Sequence, residues 1–211
     1  GRPAIDLGSA DTINEYFAQI ATDPNYNPAS VTARLQRLDD QVTFRKTSEY
    51  EIYRLLSSQK KTAAGPDGIP YWLFKHCALQ LTPVIANIIN KSILDGKPPN
   101  PWKHAIVTPV PKTAKPSTLG ELRPISVTSI LSRLTERLIV QQYLLPAIPP
   151  DLIADQFAFR PSGSTTAALT FLVHHVTKFL EDCNYVRVLL IDYSKAFDSV
   201  NHEILADKLK A

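Results

Sequence analysis

The sequence predicts an α+β fold, helices with a few strands among them, on three observations. Several segments repeat apolar residues at helical spacing, one β-branched segment is punctuated by prolines like an edge strand, and one nearly unbroken apolar run ends in an aspartate. With 44% of its residues apolar, the chain can bury a sizeable core in one domain or one and a half.

In chain order, Ile13, Phe17 and Ile20 recur at helical spacing behind a cap candidate at Asp11, which predicts a helix over 11–21. Pro24, Asn25, Asn27 and Pro28 break it, so residues 1–45 read as an extension and linker ahead of a domain over 46–211. A second helix is expected over 48–57, with Ser48 as cap, Glu51 at the capping-box position, and Ile52, Leu55 and Leu56 on one face. Gly65-Pro66-Asp67-Gly68 is a turn, since proline presets φ at its first central position. Between Tyr71 and Leu94 the apolar pattern is interrupted by Pro83, predicting two helical pieces.

Ala105–Val110 reads as a strand that Pro109 and Pro111 confine to a sheet edge, and the polar stretch 112–120 as the loop of a hairpin returning near Arg123. Helices are predicted over 129–145 and 164–180, the second capped by Ser164 or Thr165 with Leu169, Leu172, Val173, Val176 and Leu180 facing inward. Val186–Ile191 has the pattern of a strand buried on both faces that delivers Asp192 at its tip. A last helix from about His202 is expected to pack Ile204, Leu205 and Leu209.

A formal net charge of +3 permits a nucleic-acid partner without demanding one. Cys77 and Cys183 form no CxxC, and the five histidines complete no zinc spacing, so both thiols are expected to be reduced and buried. No apolar run reaches eighteen residues and no signal or transit pattern opens the chain, so an intracellular protein, nuclear or cytoplasmic, is expected, with no membrane partner. Because the sequence starts at Gly1 and contains no methionine, residues are expected to precede it in the natural protein.

Nucleotidyl transfer needs two divalent ions about 3.5 to 4 Å apart, held by carboxylates on rigid strands. An aspartate after an apolar strand is common for other reasons, but the run Leu190-Ile191-Asp192-Tyr193-Ser194-Lys195-Ala196-Phe197-Asp198 is far more specific. It resembles the first catalytic motif of the reverse transcriptases of non-LTR retrotransposons, LINE-type and Jockey-like. The resemblance implies that Asp192 is the catalytic metal ligand, that Tyr193, Ser194, Lys195 and Ala196 line the incoming nucleotide, and that the Phe197 ring excludes a 2′-hydroxyl.

Trp102–Lys112 and Leu122–Ser126 resemble the fingers hairpin of the same family, with Lys112 and Arg123 as the cations that close over the triphosphate. The segment 60–70, with Gly65 and Asp67, resembles a fingers block near the template. Gln156-Phe157-Ala158-Phe159-Arg160-Pro161 resembles the block that opens the palm, where Gln156, Phe159 and Arg160 would lie against the template strand. Ala158 stands where glycine is common, and Ser162 precedes Gly163-Ser164-Thr165 where an arginine is often found.

Four blocks stand in the family's order across about residues 46–211. They imply a right-hand polymerase fold with fingers over about 46–155 and the start of a palm over about 156–211, ending before the rest of the palm and the thumb. The family completes its site with an Asp-Asp pair on a later hairpin. This sequence ends thirteen residues after Asp198, and its only adjacent aspartates, Asp39 and Asp40, lie upstream of the fingers. The expectation is therefore a part of an RNA-directed DNA polymerase, a magnesium- or manganese-dependent nucleotidyltransferase with RNA template, DNA primer and deoxynucleoside triphosphates as partners, inactive as this chain alone. The first palm strand is expected to lack ladder partners. The alternative is a domesticated or degenerate fragment that binds RNA without catalysis. Maturase-type enzymes of mobile introns share the hairpin and the aspartate, and the pairing of Gly65–Gly68 with Ser194–Asp198 favours the LINE type over them.

Overall fold

The computed structural model describes residues 8–20, 27, 29–31, 44–160, 163–193, 196–197 and 200–209. Its helices are α1 (Ala10–Ile20), α2 (Glu49–Ser57), α3 (Tyr71–His76), α4 (Ala78–Leu94), α5 (Ile130–Ile139), α6 (Thr165–Asp182) and α7 (His202–Lys208), and its strands are β1 (Ala105–Pro111) and β2 (Leu122–Thr128). The chain divides into two units, residues 1–139 with 195–211 and residues 140–194. Helices with a small sheet agree with the α+β expectation.

The first unit has a helical core. Ile52 and Leu56 of α2, Phe74 of α3, Ala78, Ile85, Ala86 and Ile89 of α4, and Ile130, Leu134 and Leu138 of α5 are buried together. Their spacing of three, four and eight positions is one stripe per helix, and each full burial of a large aliphatic side chain is worth roughly 1.5–3 kcal/mol. The start of α2 is fixed twice. Ser48 and Glu51 form the expected reciprocal capping box, and buried Asn90 of α4 accepts from Thr47 N at 2.8 Å and donates to Thr47 O at 2.9 Å.

Three boundaries differ from expectation. Ser9, rather than Asp11, caps α1 by accepting from Thr12 N at 3.2 Å. The break between α3 and α4 falls at Cys77, with φ −100° and ψ 20°, and Pro83 lies inside α4. Pro83 and Leu79 are both exposed, so the Leu79 carbonyl that would have accepted its missing N–H can turn to water. The helix expected over 129–145 keeps its cap, Ser129 Oγ accepting from Ser132 N at 3.1 Å, but becomes π-helical over Val140–Leu144. Pro146 explains the change, because its ring clashes with the carbonyl four residues earlier and opens the preceding turn.

β1 and β2 pair antiparallel with Pro109 opposite Pro124. Neither proline can donate, and Lys112 N donating to Glu121 O at 2.7 Å sets the alternation so that the proline pair falls at a non-hydrogen-bonded position and no ladder bond is lost.

In the second unit α6 forms as expected, capped by Ser164 Oγ accepting from Ala167 N at 3.1 Å. None of its residues is buried, so of the inward face expected for Leu169, Leu172, Val173, Val176 and Leu180 only Val176 is even half-buried. Residues 186–191 are not a strand. The sheet among the described residues holds β1 and β2, and an apolar run without a ladder partner stays irregular. Back in the first unit, α7 begins where expected, but Ala206 is its buried residue while Ile204, Leu205 and Leu209 are exposed. Both cysteines are free, and Cys183 is exposed rather than buried. No helix among the described residues is long and apolar enough to cross a membrane.

Candidate nucleotide-binding site

The hairpin ends place the two expected cations. Lys112 follows β1 directly, and its Nζ donates to Gly120 O at 2.7 Å, which holds the charge beside the loop. Glu121 closes the loop, its Oε2 accepting from Ser117 N at 2.6 Å and Thr118 N at 3.4 Å. The Ser117 N–H bond above all, with help from Thr118, the Ser117 hydroxyl and the Lys112 charge, holds the Glu121 carboxyl below the usual glutamate range. Arg123, within β2, is exposed, and no hydrogen bond or ion pair engages its guanidinium among the described residues.

Lys112, Arg123 and Phe197 line one cavity of about 420 Å³ in the first unit, together with Tyr16 and Ile20 of α1 and with Gly120. Three residues separated by up to 85 positions (197 − 112) thus converge. Phe197 is 85% exposed, a ring presented rather than packed. Sequence reasoning missed the contribution of α1. Ile20 stood on its predicted apolar face, but nothing marked Tyr16.

Asp192 and Tyr193 belong to the second unit and are exposed. Ala196 lies with Phe197 in a turn, while Ser194, Lys195, Asp198 and the pair Asp39-Asp40 fall outside the described residues. Among the described residues no three histidine, cysteine, aspartate or glutamate side chains gather to hold a metal ion.

The expected template residues are largely engaged within the chain. Gly65 is buried, and a Cβ there would meet Ser129 N at 2.5 Å, so a glycine lets the turn close on the β2–α5 junction. Its carbonyl accepts from Gly68 N at 3.0 Å, and Asp67 Oδ1 accepts from Ile69 N at 3.1 Å. Gln156 Nε2 donates to Ala158 O at 2.9 Å, and Arg160 Nη1 donates to Ile153 O at 2.7 Å and Ala154 O at 2.9 Å. Phe159 is the exception. Its φ is +58°, a region non-glycine residues rarely enter, and its side chain is 93% exposed.

Residues 110–211 match the family described as reverse transcriptase (RNA-dependent DNA polymerase). The chain is 36% identical over 114 residues, 53% of its length, to the probable RNA-directed DNA polymerase from transposon BS of Drosophila melanogaster. It is 34% identical over 140 residues, 63% of its length, to the RNA-directed DNA polymerase from mobile element jockey of the same fly. Over 168 residues, 80% of its length, it is 26% identical to the retrovirus-related Pol polyprotein from type-1 retrotransposable element R2 of Popillia japonica. The matched region spans only 13%, 14% and 22% of those three proteins.

Proposed function

From a chain that belongs to the reverse transcriptases of non-LTR retrotransposons, we propose a part in RNA-directed DNA synthesis, the reception of the incoming deoxynucleoside triphosphate. The observation that carries the reading is the convergence of Lys112, Arg123 and Phe197 on one cavity. Phosphate oxygens are stabilised by a lysine point charge and a forked guanidinium acting together. Lys112 is held by the Gly120 carbonyl, and the unengaged donors of Arg123 are free to meet a second oxygen. Phe197, exposed at the same cavity, would exclude a 2′-hydroxyl by volume, and the motif resemblance assigns Tyr193, Ser194, Lys195 and Ala196 to the same nucleotide in the intact polymerase.

On this reading Asp192 supplies one carboxylate to a pair of Mg²⁺ or Mn²⁺ ions in the intact polymerase. Because one carboxylate does not hold two ions, the 211-residue chain alone does not extend a primer. The fingers would run over about 46–155, and Asp192 and Phe197 would belong to the start of the palm over about 156–211. In the intact polymerase Gly65 and Asp67 of the first unit would be template residues, and so, separately, would Gln156, Phe159 and Arg160 of the second, where the exposed Phe159 ring offers a stacking face and Arg160 keeps donors beyond Nη1 for phosphate.

The test is titration of the chain with a fluorescent deoxynucleoside triphosphate. Arg123→Gln is expected to weaken binding by about 10- to 100-fold, the worth of hydrogen bonds to a charged group, and Lys112→Gln by less. Phe197→Ala is expected to erase the preference for deoxy- over ribonucleotide. Undiminished binding in both cation variants overturns the reading.

A further inference from the structure

A second cavity of the first unit concentrates positive charge with no function yet attached to it. Lys60, from the loop after α2, and Arg133 and Arg137, one turn apart on α5, line about 390 Å³ together with Ser58, Gln59 and Thr62. No carboxylate lines it among the described residues. Like charges four residues apart on a helix repel, and among the described residues no carboxylate pairs with either. Glu136, next in sequence, accepts from Ser132 Oγ at 3.3 Å instead.

Arg133 builds the cavity. Its Nη1 donates to Thr62 Oγ1 at 2.7 Å and its Nη2 to Ala63 O at 2.8 Å, pinning the Lys60 loop against α5. Lys60 and Arg137 are exposed, and their side chains make no hydrogen bond or ion pair among the described residues. Two uncommitted cations and a third held as a strut face a polar hollow that Leu134, buried at 3%, closes from below. Such a site lowers the free energy of an anion brought to it.

We infer that this cavity binds backbone phosphate of a single-stranded RNA, with Lys60 and Arg137 contacting the phosphodiester and Arg133 positioning the loop. The choice of RNA rests on the family reading above, whereas the anion site does not. Its lining offers charge without aromatic faces, so the grip is sequence-independent.

The test measures binding of a short labelled single-stranded RNA of mixed sequence to the full chain by anisotropy across a series of KCl concentrations. The doubly substituted K60Q/R137Q chain is expected to bind on the order of tenfold more weakly at moderate salt, with a log K against log salt slope shallower by about 1.4, two contacts at 0.7 each. The charge-preserving K60R/R137K chain is expected to recover both. Unchanged affinity and slope in K60Q/R137Q, with an unchanged thermal melt, overturn the inference. If K60Q/R137Q loses affinity for inorganic phosphate but not for RNA, the cavity takes free phosphate and the RNA assignment falls. The nucleotide titration of the Lys112 and Arg123 variants reads a different cavity, so either reading can fail without the other.

Discussion

Helices that all carry an apolar stripe meet different fates in the two units. In the first, the stripes of α2, α4 and α5 cover one another, and Leu56 and Ile89 are fully buried. In the second, α6 is longer and also carries an apolar stripe, yet Leu169 is 57% and Val173 61% exposed. An apolar stripe therefore specifies a face that wants cover, and only a second stripe at the right place in the chain supplies it.

The sharpest way to break this comparison is to truncate one leucine in each stripe. Leu56→Ala is expected to cost about 2–5 kcal/mol through lost transfer free energy and a residual cavity. Leu169→Ala, at a site more than half exposed, is expected to stay within about 0.5 kcal/mol. Urea midpoints for the two variants decide it. A loss at Leu169 comparable with that at Leu56 would mean that α6 is covered in solution.

A smaller effect tests whether polar links help set the first unit apart. Asn90 joins α4 to the chain entering α2 by two buried bonds to Thr47. Asn90→Ala removes both and is expected to cost about 1–3 kcal/mol, whereas Asn87→Ala on the exposed side of α4 is expected to stay within about 0.5 kcal/mol. Equal midpoints for the two chains would remove Asn90 from the account.

Much of this contrast could be read in the sequence, and the unreadable part has a physical reason. Capping needs only neighbours, so Ser48 with Glu51 and Ser164 before α6 were legible from residues three apart. The hairpin was legible because prolines exclude a central strand. Val186–Ile191 misled because an apolar β-branched run records a preference for pairing, and pairing needs a partner strand that composition cannot supply. Pro83 misled because proline terminates a helix only where the freed carbonyl has nowhere to turn. At the candidate site, Lys112, Arg123 and Phe197 were found through motif resemblance, while Tyr16 reaches their cavity through tertiary packing that leaves no local mark.

The smallest effect separates the helix caps of the two units by pH. Glu51 sits at the third position of α2 and accepts from Ser48 N at 2.9 Å. That bond above all, with the Ser48 hydroxyl and the Arg45 charge helping, holds its pKa below the ordinary value of 4.5. A carboxyl held below its unfolded value contributes stability that is complete above that value and is lost as pH falls through the folded one. Ser48→Ala is accordingly expected to cost about 1 kcal/mol at neutral pH, with the loss shrinking on acidification because protonated Glu51 no longer completes the box. In α6 the equivalent third position is Ala167, so no carboxylate is coupled to Ser164. Urea midpoints of Ser48→Ala and Ser164→Ala, each against the unsubstituted chain from neutral pH into the acid range, should therefore converge in the first case and stay parallel in the second. A pH-independent gap at Ser48 would detach Glu51 from the cap and leave the two helix starts energetically alike.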